Sequence, residues 1–256
     1  MGVVTASRNH AISADRTAGL DLVIPALNEE ARLGATVEEL HRVADDAGLD
    51  VRFIVVDNGC VDSTADVVDR SAAADIPVEL ISCQTRGKGA AIRAGIRHSD
   101  AAFVGYCDAD QSTPPGALLE GVDLLAAGWE VVIGSRKCAG AGYVVRQPAL
   151  RRAGSFAFHT AATRLTGPVS DTQCGFKLFH ADRARDLFEA TSLDGFAFDV
   201  ELLARVQRAG LQAIELPVKW THSDGSTFRP LKDGIRSFRE LLAVHRSLKA
   251  APAAGA

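Results

Sequence analysis

RFIVVDNGCVDSTADVVDRSAAADIPVELIS, Arg52 to Ser82, decides the fold class. A run of strand length, Arg52 to Val56, gives way to a polar turn, DNGCVDS, with Asp62 or Ser63 as a candidate N-cap. A helical stretch around Ala65 to Ala73 and a further apolar run, Val78 to Ser82, follow. Strand-length runs alternating with stretches of helical period are the signature of a parallel sheet with helices on its faces. The same alternation extends outward on both sides. Upstream, Leu20 to Pro25 reads as a strand and Glu29 to Ala47 as a helix, with Leu33, Val37, Leu40 and Ala44 on one stripe. Downstream, RGKG opens a helix through His98, Ala102 to Cys107 is a strand ending in DAD, and Pro114 or Pro115 starts the next helix. Val131 to Gly134 is a fifth strand. Beyond it come a basic apolar helix (Leu150 to Leu165), a short strand (Phe176 to Phe179), helices near Ala181 and Val200, a strand near Ile214 to Val218, and a long tail helix.

At 256 residues, with 47% hydrophobic and 23% charged residues, the chain can bury a large core, which excludes disordered and fibrous classes. Its net charge of -4 gives no nucleic-acid footprint. Five cysteines, odd in number and without a CxxC pair, argue against a disulfide framework and a zinc site and fit a reducing compartment. No apolar run reaches the roughly 18 residues of a spanning helix, and residues 1–18 hold no signal-peptide core, so a cytoplasmic protein is expected. One domain is expected over residues 19–249, between a disordered polar arm (1–18) and a disordered tail (250–256).

In an open parallel sheet, ligands collect at the carboxyl ends of the strands. Three polar loops meet there: PALNEE (Pro25 to Glu30), DNGC (Asp57 to Cys60) and DAD (Asp108 to Asp110). Asp108 and Asp110 can hold a hard divalent cation that also bridges a diphosphate, or they can simply cap the next helix. GKGAAIRAG lacks GxGxxG spacing, and no GxxxxGK[ST], GxSxG or HExxH occurs, so dinucleotide, P-loop, hydrolase-elbow and zincin assignments fail.

Together VIPALNEEARL, VVDNGCVDST, RGKGAAIRAG, DADQSTPP and VIGSR stand in the order seen in family-2 glycosyltransferases of the GT-A fold, which the chain resembles over residues 20–245. DTQCGFKLF, GFAFDVELL and the stretch from Trp220 are similar to the dolichyl-phosphate glucosyltransferase branch. The resemblance implies an α/β GT-A domain and an inverting, metal-dependent hexose transfer. The expected donor is UDP-glucose and the expected acceptor a polyprenyl or dolichyl phosphate. Pro25, Ala26, Asn28, Glu29, Asp57, Lys88, Asp108 and Ala109 would line the nucleotide, and Asp108 and Asp110 would hold Mg2+ or Mn2+, with the direct bond favoured from Asp110. The bland alternative for Lys88 is a solvated lysine at a helix start. Arg136, Arg146 and Arg151 would receive phosphate, the last two ahead of the adjacent Arg152. Asp171 is the candidate catalytic carboxylate, as base or as a group that positions substrate, and Gln173, Asp199 and Glu201 would contact or support the sugar. Asp199 can also be read as an N-cap. Two positions depart from the pattern: Asn58 stands where many relatives carry a second acid, and Ser112 stands where mannosyl-transferring relatives place a glutamine.

The tail from Arg229 to Lys249 carries six Lys/Arg against two acids, and Leu231, Ile235, Phe238 and Leu242 form an apolar stripe. Such a helix over about 231–249 can lie on an anionic membrane surface or pack on the domain. The alternatives are a soluble family-2 hexosyltransferase with a small-molecule acceptor, a GDP-mannose-dependent enzyme, or a silent nucleotide-sugar-binding protein. Asp57, Asp108, Asp110 and Asp171 together speak against the last.

Overall fold

The computed structural model describes residues 3–6, 19–143, 160–195, 197–220, 240–246 and 248. Ten strands lie among the described residues. They are β1 (Val4–Thr5), β2 (Leu20–Ala26), β3 (Val51–Asp57), β4 (Val78–Ser82), β5 (Phe103–Tyr106), β6 (Val131–Ser135), β7 (Gly142–Tyr143), β8 (Lys177–His180), β9 (Ala213–Pro217) and β10 (Lys219–Trp220). Helices α1 (Leu33–Asp46), α2 (Thr64–Ala73), α3 (Lys88–His98) and α4 (Gly116–Ala126) cross between strands, and α5 (Ala181–Glu189) and α6 (Phe198–Arg208) follow β8. Eight strands form one sheet in the order β1-β9-β6-β8-β5-β2-β3-β4, and β7 pairs with β10. Every pairing in the large sheet is parallel except those of β8, which runs antiparallel between β5 and β6.

The strands are apolar on both faces because both are covered. Leu22, Ile24, Phe53 and Val55 point into a core with Leu33, Val37, Leu118 and Val122 of α1 and α4. Their chain neighbours Val23, Ile54 and Val56 point the other way, onto Ile92 and Ile96 of α3 and onto Leu187 and Phe198. This period-two alternation around a central sheet is the expected α/β layering. The stripe Leu33, Val37, Leu40 and Ala44 is buried as read from the sequence.

Differences from the sequence reading are local. Helix α1 starts at Leu33 rather than Glu29, because residues 28–30 are bonded instead to the β3–α2 loop. Of the two N-cap candidates for α2, Ser63 holds the cap position without a side-chain bond, and Asp62 accepts Thr64 N at 3.1 Å. Val4–Thr5, inside the stretch read as a frayed arm, forms an edge strand on β9. Of the basic helix expected at Leu150 to Leu165, residues 160–166 are helical and the rest lies outside the described residues.

In the tail, residues 240–246 are helical, and Leu241, Val244 and Leu248 pack on Val200, Ala204, Ala162 and Leu165 while Leu242 faces solvent. The buried stripe of this segment is therefore offset from the one containing Leu242. Leu231, Ile235 and Phe238 lie outside the described residues. Among the described residues no helix is long and apolar enough to cross a membrane.

Helix α3 lies so close to the sheet that a Cβ on Gly95 would come within 2.4 Å of Val23 Cγ1 and 3.1 Å of Val56 Cγ2. Both partners are fully buried and cannot retreat. Gly95→Ala is therefore expected to destabilise the protein by about 1–3 kcal/mol through overpacking, read as a lower urea midpoint at unchanged slope.

Candidate active site

The carboxyl ends of β2, β3, β5 and β6 form one edge of the sheet, and β8, being antiparallel, delivers its amino end there too. Lys177, the first residue of β8, pairs with Tyr106, the last of β5. Asp171 to Gly175 therefore arrive beside the DAD loop.

The first two loops are stitched together. Asn28, at φ 59°, accepts Val61 N with its Oδ1 at 2.9 Å, Glu29 N donates to Thr64 Oγ1, Glu30 N to Asp62 Oδ2, and Ser63 N to Glu30 Oε2. Asp57 closes a tight turn by accepting Gly59 N at 2.9 Å and Cys60 N at 2.7 Å, and the Cys60 bond leads the causes that lower its pKa. Pro25 and Ala26 end β2 alongside Asp57, Ala26 in register with it. The Glu29 carboxyl titrates above its ordinary value: burial is the main cause, the charges of Asp110 and Asp108 add to it, and the Arg32 guanidinium opposes it. Three carboxyl groups thus share one electrostatic neighbourhood at the strand ends.

The DAD loop is tied to α1. Thr36 Oγ1 donates to Ala109 O at 2.8 Å, and Gln111, at φ 54°, donates from Nε2 to Ala35 O. Asp110 spends one oxygen on Ser112 N at 3.0 Å. Asp108 receives the Lys88 ammonium on Oδ1 at 2.5 Å. Its Oδ2 lies 1.9 Å from where a Cβ on Gly175 would stand, so only glycine admits this carboxylate. Lys88 is thereby an ion-paired residue of the site rather than a solvated one. The glycines flanking it serve another contact: Cβ atoms on Gly87 and Gly89 would meet Asp194 O at 2.1 Å and Leu193 O at 2.7 Å. They admit the loop that precedes α6.

Asp171 is fully buried and doubly clamped. Arg136 donates to it from the backbone N (3.1 Å), Nε (2.5 Å) and Nη2 (2.8 Å). Burial pushes its pKa up, but the Arg136 hydrogen bonds and charge outweigh that and hold it at about 2. The loop carrying it is anchored by Glu215 of β9, whose buried carboxylate accepts Ser170 N and Asp171 N. Gln173, half-buried, follows in the same turn, its N donating to Asp171 Oδ1 at 3.4 Å. Asp199 does not cap α6. It is buried, accepting Lys177 Nζ at 2.6 Å and Tyr106 Oη at 2.5 Å. Glu201 is buried and holds Ser192 N, Leu193 N and Arg205, bracing the loop that precedes α6. Arg146 and Arg151 lie outside the described residues.

Sequence reading passed over Lys177, Tyr106 and Glu215. A lysine and a glutamate inside otherwise apolar strands were the available signal, since buried charges require partners. Among the described residues no group of three His, Cys, Asp or Glu side chains has metal-holding geometry.

The lowered Asp171 pKa makes a stability statement. With a folded value near 2 against an unfolded value near 3.8, its contribution is complete above about pH 4 and fades as pH falls towards about 2. Asp171→Asn is expected to cost about 2 kcal/mol near neutral pH, with the gap to the native protein closing below about pH 3, as measured by urea titrations across that range.

The Glycosyl transferase family 2 model matches residues 21–188. The dolichyl-phosphate beta-glucosyltransferases of Drosophila melanogaster and Homo sapiens are 32% and 31% identical over 242 and 244 residues, spanning 88% and 89% of this chain and 74% and 75% of theirs. Glucosyl-3-phosphoglycerate synthase from Mycobacterium tuberculosis, solved with Mn2+, UDP and glucosyl-3-phosphoglycerate, superposes with a TM-score of 0.70 at 20% identity, covering 100% of this chain and 90% of that one. In complex with phosphoglyceric acid it gives a TM-score of 0.71 at 20% identity, covering 99% and 89%, so the GT-A fold is shared. With the family model over more than half its length and these relatives over most of it, the chain is a nucleotide-sugar-dependent glycosyltransferase of family 2.

Proposed function

We propose that the protein transfers glucose from UDP-glucose to a dolichyl or other polyprenyl phosphate with inversion at the anomeric carbon. The observation that carries this is the meeting of Asp57, Lys88, Asp108, Asp110 and the Arg136–Asp171 pair at one sheet edge. The names of the relatives supply the donor sugar and the acceptor class.

In this reading Asp57 and the end of β2 seat the uracil and ribose, and Lys88 faces the diphosphate from the start of α3. The donor set at the DAD loop, the Asp108 and Asp110 carboxylates, is all oxygen, which suits a hard divalent cation. Asp110 and Asp108 would hold Mg2+ or Mn2+, with Asp110 the more open because Lys88 already occupies Asp108. Such an ion offsets the charge of the departing diphosphate when bound.

An acceptor phosphate oxygen attacks C1 of glucose as the bond from C1 to the UDP oxygen breaks; the acceptor oxygen is already anionic, so no proton has to leave. Asp171, held ionised by Arg136, is too weak a base to matter as one. Its part is to fix the Arg136 guanidinium, whose remaining N–H donors suit phosphate.

With UDP-glucose, Mn2+ and a short polyprenyl phosphate in detergent, organic-phase label is expected, lost with EDTA and in Asp110→Ala. Label from GDP-mannose only, or donor hydrolysis without lipid product, would overturn the donor or the acceptor assignment respectively. Gly175→Ala, which must expel the Asp108 carboxylate, is expected to lower transfer on the order of 10²-fold at a nearly unchanged melting temperature.

A further inference from the structure

The segment between β4 and α3, residues 83–87, leads directly into Lys88, yet Gln84, Thr85 and Arg86 are exposed and little packing holds them. Asn58, buried at the end of β3, takes up that task. Its Nδ2 donates to Thr85 O at 2.7 Å and to Cys83 O at 3.3 Å, and its Oδ1 accepts Gly87 N at 2.7 Å. Only this amide orientation satisfies all three partners, since the reverse would set oxygen against two carbonyls and NH2 against an N–H. Asn58 is itself fixed by its N–H to Ala26 O at 3.0 Å. From the opposite flank, Gly89 N donates to Asp194 O at 2.8 Å, and Gly87, at φ 137°, admits that carbonyl. The segment is gripped from both sides, and its two cations have defined destinations. Lys88 reaches Asp108, and the Arg86 guanidinium lies 3.2 Å from where a Cβ on Gly59 would stand, over the Asp57 turn.

We propose that Asn58 is a positioning residue that sets Lys88 and Arg86 against the nucleoside diphosphate by clamping residues 83–87. This rests on the nucleotide site of the preceding reading. A carboxylate at position 58 could keep only the Gly87 bond and would oppose the carbonyls of Cys83 and Thr85, so aspartate is not a conservative exchange here. Asn58 thus does work in this chain that an acid in its place could not do.

The test is titration of UDP with Mn2+ by calorimetry, alongside donor and acceptor KM, for the native protein, Asn58→Asp and Asn58→Ser. Asn58→Asp is expected to raise the UDP Kd and donor KM about tenfold or more at about pH 8, with acceptor KM unchanged, from the loss of two hydrogen bonds. Burial against the Cys83 and Thr85 carbonyls raises the pKa of the new carboxyl, so this variant should recover part of that affinity as pH falls towards about 5, where the protonated form regains one donor, while the native protein shows no such recovery. Asn58→Ser should give a smaller, pH-independent loss and faster tryptic cleavage after Arg86 and Lys88, and it carries the test if Asn58→Asp does not fold. A lowered melting temperature with unaltered donor KM, or UDP binding within about twofold in both variants, would overturn the inference while leaving the donor site standing. Absence of UDP binding in the native protein would overturn the donor reading and this inference with it.

Discussion

The buried ion pair between Lys177 and Asp199 joins the three elements on which the site is built. Lys177 opens β8, Asp199 lies in the first turn of α6, and the Tyr106 hydroxyl from the end of β5 shares the Asp199 oxygen. The ammonium also donates to Cys174 O at 2.8 Å and stands 5.4 Å from the Tyr106 ring centroid. Desolvating two charges offsets much of their attraction, so the pair adds little net stability. Removing one partner would strand the other, at a cost of about 3–5 kcal/mol. Its value is in fixing where β8 begins.

Where β8 begins decides what reaches the sheet edge. A parallel strand at that place would put its carboxyl end beside β5 and β6. The antiparallel one instead presents the turn that precedes it, with Asp171, Gln173 and Gly175, to the loops that follow its neighbours. Gly175 then gives Asp108 room to lie flat against the backbone, and Asp171 meets Arg136 from the end of β6. Charges introduced by separate segments are paired at the edge: Lys88 with Asp108 and Arg136 with Asp171. The chain thereby presents a polar edge whose charges are held in place before any ligand arrives.

The strand and helix sequence from Leu20 to Ser135 was readable, with β4 found at its observed bounds, because each element there carries its own periodicity and turn residues. The two-residue strands β1, β7 and β10 are too short to show any period, and their pairing depends on distant partners. The direction of β8 was equally illegible, since a strand four residues long reads the same both ways. At the site, acids and bases were visible as residue types at strand ends, while their partners were not. Asp199 looks like a capping residue until Lys177 and Tyr106 are seen against it, and the RGKG glycines look like a phosphate loop until the carbonyls of Leu193 and Asp194 are found beside them.

The sequence by itself determined the layered α/β architecture, the family, and the set of charged side chains gathered at one edge of the sheet. Those follow from local pattern and from motifs in a fixed order. Only the tertiary structure decided which charges neutralise each other, that Asp171 stands as a clamped anion beside Arg136, and that Asn58 holds the segment carrying Lys88. The decisive contacts join segments 20 or more positions apart in the chain, for instance 22 between Lys177 and Asp199, 29 between Asn58 and Gly87 and 35 between Arg136 and Asp171. No local pattern encodes such a contact, because hydrogen bonding and ion pairing depend on distance in space, which the fold alone sets.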